Sequence, residues 1–193
     1  MFSQKLKEYK IILASGSPRR QQFFKDLGLD FEIRLREIEE VYPDTLKADE
    51  ITDYLAELKG KAFDGALADD ELLITSDTIV WHKNKALGKP KHAQDAFFML
   101  KNLSNSTHQV ITSVSFKTNK KVTTLHDYTE VTFAQLTDEM IHFYISKFEP
   151  FDKAGSYGIQ DWIGLVGVTS ISGSYTNVMG LPTHLVFDYF KNF

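Results

Sequence analysis

Cysteine is absent from all 193 residues. That absence removes disulfide frameworks, thiolate zinc sites and cysteine nucleophiles together, and it fits a reducing compartment. An excess of positive charge is also missing. The 22 basic residues against 26 acidic ones leave a formal net charge of −4, which disfavours a general nucleic-acid coat. Any anion site must therefore come from a local cluster of cations, because the overall field is slightly repulsive. No apolar run approaches the roughly 18 residues needed to span a bilayer. The opening "MFSQKLKEYKIILASGS" turns polar too soon to be a signal peptide. The expectation is a cytoplasmic chain with no membrane and no nucleic-acid partner. The Walker spacing and the HExxH pattern are lacking as well, and the six histidines are read as structural or exposed.

What is present suffices for a full core. Hydrophobic residues make up 42% and aromatics 13%, enough for one domain or two small, tightly joined lobes. Without repeats, low-complexity tracts or linkers, residues 1–193 are taken as a single domain. "KIILAS" reads as a strand covered on both faces. Ser17 and Pro18 then start a helix as cap and first residue, with Phe23, Phe24 and Leu27 inward and Gly28 at its end. After the acidic loop "REIEEVYPD", Ile51, Leu55, Leu58 and Ala62 give a helical apolar stripe with Lys59 at its margin. "ELLITSDTIVWH" is a long strand, and a helix near 92–103 buries Ala96, Leu100 and Leu103. A hairpin turns at "NKK", and Thr137 caps a helix with Ile141, Tyr144, Ile145 and Phe148 inward. Two strands are expected around Ser172–Gly173, and Pro182 opens a last helix. The order is mixed α/β: a twisted mixed sheet with flanking helices.

Four segments carry candidate chemistry. In "SGSPRR", the amides at the helix start and the Ser15 and Ser17 hydroxyls could hold a phosphate, with Arg19 and Arg20 as further donors. Cations are disfavoured at a helix N-terminus, so an anion is expected to offset them; a simple capped helix with solvated arginines is the alternative. In "SDTIV", Asp77 interrupts a buried apolar strand, where a carboxylate is costly unless paired or metal-bound. The alternative is an aspartate tied to a helix N-terminus. Lys89 in "LGKP" is restrained by the following proline, yet a loop lysine is usually just exposed. Gln160 in "EPFDKAGSYGIQ" offers the donor and acceptor that a base edge requires, or lies in a plain glycine-rich connection. Glu39 and Glu40 could complete a magnesium shell or form an acidic surface loop.

Together these segments resemble a known family. "LASGSPRRQQFFKDLG", "IEE", "LAELKGKA", "SDTIV", "LGKP", "THQVITSVS", "EPFDKAGSYGIQ" and "GSYTNVMGLP" stand in the order found in the Maf-type nucleoside triphosphate pyrophosphatases, or septum formation inhibitor proteins, across residues 11–187. The resemblance implies an elongated two-lobed α/β domain around a nucleotide cleft. It implies hydrolysis of a nucleoside triphosphate, dTTP or UTP or a modified pyrimidine nucleotide, to the monophosphate and pyrophosphate. It further implies a divalent metal, Mg²⁺ or alternatively Mn²⁺, and a homodimer. By that likeness Asp77 is the catalytic proton acceptor, and Arg19, Thr78 and Gln160 set base choice. Ser15, Arg20, Lys59 and Lys89 surround the triphosphate, and Asp77 with Glu40 holds the metal.

Two departures stand out. Asp161–Trp162 replace a common glycine after the glutamine, and Ser76 replaces an alanine, where its hydroxyl could bond Asp77 and lower its pKa. Competing readings are a house-cleaning pyrophosphatase for non-canonical purine triphosphates and a non-catalytic nucleotide-binding regulator of cell division.

Overall fold

Lys10–Leu13 forms the first strand, β1, and its Ile11, Ile12 and Leu13 are buried, as suits an apolar run within a covered sheet. In this computed structural model, which describes residues 2–193, β1 pairs in parallel with β2 (Phe31–Ile33) and with β3 (Glu71–His82). The other strands are β4 (Lys85–Leu87), β5 (Thr107–Lys117), β6 (Val122–Phe133) and β7 (Val168–Ser172). Their hydrogen-bonded order is β2-β1-β3-β5-β6-β7, with β4 antiparallel to β3. The helices are α1 (Pro18–Asp26), α2 (Asp49–Lys61), α3 (Ala93–Leu103), α4 (Asp138–Phe148), α5 (Trp162–Gly167), α6 (Tyr175–Val178) and α7 (Thr183–Asn192). This is an α/β fold with a mixed sheet and flanking helices. Among the described residues no helix is long and apolar enough to cross a membrane.

The chain divides into two compact units. One comprises Met1–Asp77, Thr112–Asp127 and Gly180–Phe193; the other comprises Thr78–Ile111 and Tyr128–Met179. The chain passes from one to the other within β3, β5 and β6 and after α6. The first unit's core joins Leu13, Phe24, Leu72, Ile74, Val114, Phe116, Val186 and Phe190. Phe24 lies edge-on to Phe31 at 5.4 Å and to Phe190 at 6.4 Å. Each such fully buried side chain contributes about 1.5–3 kcal/mol. The second unit's core joins Val80, Ala96, Leu100, Leu103, Val131, Phe133, Ile141 and Tyr144.

Three expectations need correction. The buried face of α2 is Ile51, Thr52, Leu55, Ala56 and Gly60, whereas Leu58 and Ala62 are only partly buried. Small residues set this rotation, because Gly60 leaves room beside Thr75 of β3. Phe148 of α4 is 37% exposed rather than inward. The segment expected as two strands is instead α5, β7 and α6, because Ser174 caps a helical turn where the second strand was expected by accepting from Asn177 N at 3.3 Å.

Candidate active site

In the first unit, β3 presents Thr75 and Asp77 on one face, as the two-residue period of a strand requires. Helix α2 covers that face. The Thr75 hydroxyl donates to the Ala56 carbonyl at 2.6 Å, and one turn further Lys59 Nζ meets Asp77 Oδ1 at 2.6 Å. The same ammonium lies 3.1 Å from Glu40 Oε1, on the loop between β2 and α2, and 3.4 Å from the Ser76 carbonyl. Helix α1 supplies Arg20, whose Nε donates to the Gly180 carbonyl at 2.7 Å and whose Nη1 donates to the Ser76 carbonyl at 2.9 Å. Asp77, Lys59, Glu40 and Arg20 are therefore brought together.

The start of α1 is built as its residues suggest. Ser15 is buried, and its hydroxyl accepts from Ser17 N at 3.3 Å. Ser17 caps the helix by accepting from Arg20 N. Arg19 occupies the first turn and is partly buried. Two backbone carbonyls, with Asp77 and Glu40, offset the Arg20 charge that the helix end disfavours.

Burial dominates the electrostatics. It pushes the Asp77 carboxyl above the usual carboxylate range, Lys59 and Arg20 pull it back, and Glu40 adds to the rise. Burial likewise holds Arg20 below its ordinary value, opposed by Asp77 and Glu40. The expected bond from Ser76 to Asp77 does not form: the Ser76 hydroxyl is buried without a hydrogen-bond partner, and Asp77 moves up rather than down. Adjacent strand residues point to opposite faces, so the two side chains do not meet.

The carboxylates of Glu40 and Asp77 converge on one cationic point, the Lys59 ammonium. Both are hard oxygen donors of the kind a divalent ion of the Mg²⁺ class takes. The position they share is filled by the ammonium, so an ion held by this pair would need Lys59 to turn aside. A second acidic group lies elsewhere in this unit: Asp49, Asp53 and His126 offer ligand atoms within 4.8 Å of one another and could hold a metal. Sequence reasoning left this histidine out. Asp49 and Asp53 share one face of α2 at helical spacing, but His126 reaches them from β6, and no local pattern announces that. Ser113 donates to Asp53 at 2.6 Å and His126 Nδ1 lies 3.0 Å from the same carboxylate.

The remaining candidates lie in the second unit. Thr78 follows Asp77 on β3 and is partly buried, while Lys89 is exposed in the loop after β4. Gln160 is exposed on a glycine-bounded turn. In that turn region Gly155 adopts φ +67 and packs on Val80, with its amide donating to the Gly88 carbonyl at 3.0 Å.

A buried carboxylate fixed among cations on a mixed sheet defines an α/β protein with an anion-competent acid centre. Residues 10–193 match the family described as Maf-like protein, and the chain belongs to that family. It is 67% identical to a Flavobacterium johnsoniae protein named dTTP/UTP pyrophosphatase, over 98% of this chain and 97% of that one. A Flavobacterium psychrophilum protein of the same name is 63% identical over 100% of this chain and 98% of its own length. Among solved structures, the Staphylococcus aureus Ham1 protein matches with a TM-score of 0.45 and 15% identity, covering 65% of this chain and 72% of that one.

Proposed function

We propose that this chain hydrolyses dTTP, UTP and modified pyrimidine nucleotides of similar shape to the monophosphate and pyrophosphate. The observation that carries this reading is buried Asp77, held by Lys59 and close to Arg20, in a chain 67% identical over almost its whole length to a protein named dTTP/UTP pyrophosphatase. In the reaction a water oxygen bonds to the α-phosphorus. The bond from that phosphorus to the bridging oxygen breaks, and pyrophosphate leaves with the electron pair. Asp77 takes the proton from the water. Its raised pKa suits this role, since a base is most effective when its pKa lies nearer the working pH. Arg20 and Lys59, with Ser15 and Lys89, hold the charge that builds on the phosphate oxygens. A divalent cation, Mg²⁺ or alternatively Mn²⁺, would be held by Asp77 and Glu40 and would supply charge neutralisation at the phosphates. Arg19, Thr78 and Gln160 choose the base.

The test is incubation of the full chain with each common ribo- and deoxyribonucleoside triphosphate and Mg²⁺, with pyrophosphate and orthophosphate measured separately. Pyrophosphate from dTTP and UTP is expected. Asp77→Asn should fold and lose at least about a hundredfold in turnover, the scale of lost proton transfer. A preference for deaminated purine triphosphates, or tight binding without pyrophosphate release, would overturn the reading.

A further inference from the structure

Gln160 sits on a turn closed by the Asp161 amide donating to the Gly158 carbonyl at 3.0 Å. Both ends of this turn meet one hydroxyl. Gly158 N donates to Tyr144 Oη at 3.0 Å, and Tyr144 Oη donates to Asp161 Oδ2 at 2.8 Å. Donors in series reinforce one another in a buried setting. Tyr144 is itself fully buried and stacks on Phe148 at 5.2 Å, so the hydroxyl is a fixed anchor. Lys153 Nζ, 13% exposed, lies 3.8 Å from the same carboxylate oxygen.

Two further facts show what this bracing is for. Asp161 stands at the N-cap of α5, where an aspartate ordinarily accepts from the helix amides, yet its side chain makes no cap hydrogen bond. The carboxylate gives up that role to accept the tyrosine. A Cβ built on Gly158 would fall 2.5 Å from Asp161 Oδ2 and 3.0 Å from Gln160 Nε2. The carboxylate and the Gln160 amide thus rest against the same face of one glycine, and a shift in either end of the turn re-aims the amide.

We propose that Asp161 is a positioning residue for base choice, holding the Gly158–Asp161 turn through Tyr144 and so setting the direction of the Gln160 amide. The proposal rests on the reading above that Gln160 contacts the nucleobase. Asp161 acts through its neighbours and touches neither phosphate nor reacting atoms. The recognition it serves is of a pyrimidine edge with an N3–H donor beside the O4 acceptor, as in thymine and uracil. Cytosine reverses the pair to an N3 acceptor beside an N4 donor, which an amide held in one direction rejects.

The experiment compares kcat/KM for dTTP and dCTP in the wild type and in Asp161→Ala, Asp161→Asn, Tyr144→Phe and Gln160→Ala, with melting temperatures as the check on folding. Asp161→Ala should lower the dTTP-to-dCTP ratio about five- to tenfold, the scale of one lost hydrogen bond, with the change carried by KM for dTTP. Asp161→Asn should stay within about twofold of wild type, because its amide oxygen still accepts from Tyr144. Tyr144→Phe keeps the ring packing and should reproduce the Asp161→Ala loss. A ratio that moves in Gln160→Ala but in neither Asp161→Ala nor Tyr144→Phe overturns the proposal. So does Asp161→Asn falling as far as Asp161→Ala, which would assign the effect to charge. An unmoved ratio in Gln160→Ala refutes base reading by Gln160 and takes this proposal with it.

Discussion

Lys59→Met removes the cation 2.6 Å from Asp77 while keeping most of the side-chain stem. Asp77 is 7% exposed, so its charge then loses its nearest counter-ion in a poorly solvated place. Breaking a buried pair by deleting one partner typically costs about 3–5 kcal/mol. Here proton uptake sets the ceiling, because Asp77 can escape by becoming neutral. At pH 7.5, protonating a carboxyl whose unfolded pKa is about 3.9 costs roughly 5 kcal/mol, and at pH 5.0 only about 1.5 kcal/mol. The sign follows from a folded pKa raised above the unfolded one. Its contribution to stability is fully present below the unfolded pKa and is lost as pH rises through the folded pKa. Lys59→Met should therefore be destabilised by several kcal/mol at pH 7.5, and most of that loss should be recovered at pH 5.0, always relative to wild type at the same pH. Urea unfolding at the two pH values measures it. Lys59→Met combined with Asp77→Asn should recover most of the stability at pH 7.5, since the buried carboxylate charge is gone while Arg20 keeps the Gly180 and Ser76 carbonyls and the charge of Glu40. Equal destabilisation at both pH values, or no rescue by the second substitution, would refute the reasoning.

Ser76→Ala should leave stability unchanged or raise it by about 1 kcal/mol in a urea titration, because the buried hydroxyl it removes has no partner. Gly155→Ala should lower the melting temperature by an amount equal to about 1–3 kcal/mol, since φ is +67 and the added Cβ would fall 2.7 Å from Val80 Cγ2. His108, pushed down to about 3 by burial and by the charge of nearby His82, binds its proton more weakly folded than unfolded. Stability should therefore be greatest above pH 6.5 and fall by several kcal/mol as pH drops towards 3; urea midpoints across that range should show a flatter slope in His108→Gln.

Much of this arrangement was legible in local sequence. The β1 run, the Ser17 cap and the helix ending near Gly28 each rest on contacts a few residues apart, and Asp77 announced itself by interrupting an apolar strand. What escaped lies in partners far along the chain. Lys59 reads as a stripe-edge lysine until α2 is laid on β3, and the carbonyls that hold Arg20 come from Ser76 and Gly180. The segment after Gln160 misled because "GLVGVTSIS" is equally apolar as helix or strand. Backbone crowding separates the two: a Cβ at Gly164 would fall 1.9 Å from the Ile159 carbonyl oxygen, so glycine there permits the tight start of α5.

The first unit's core is assembled from three separate stretches, with Phe190 of α7 packed against Phe24 of α1 and the Phe190 carbonyl accepting from Ser3 N at 3.1 Å. During synthesis the early strands must wait, with Phe24 and Leu72 uncovered, until α7 has left the ribosome. Such late closure leaves a nascent chain open to chaperones and to aggregation. A ribosome-stalled chain lacking α7 would display the apolar surface on which Phe190 later docks.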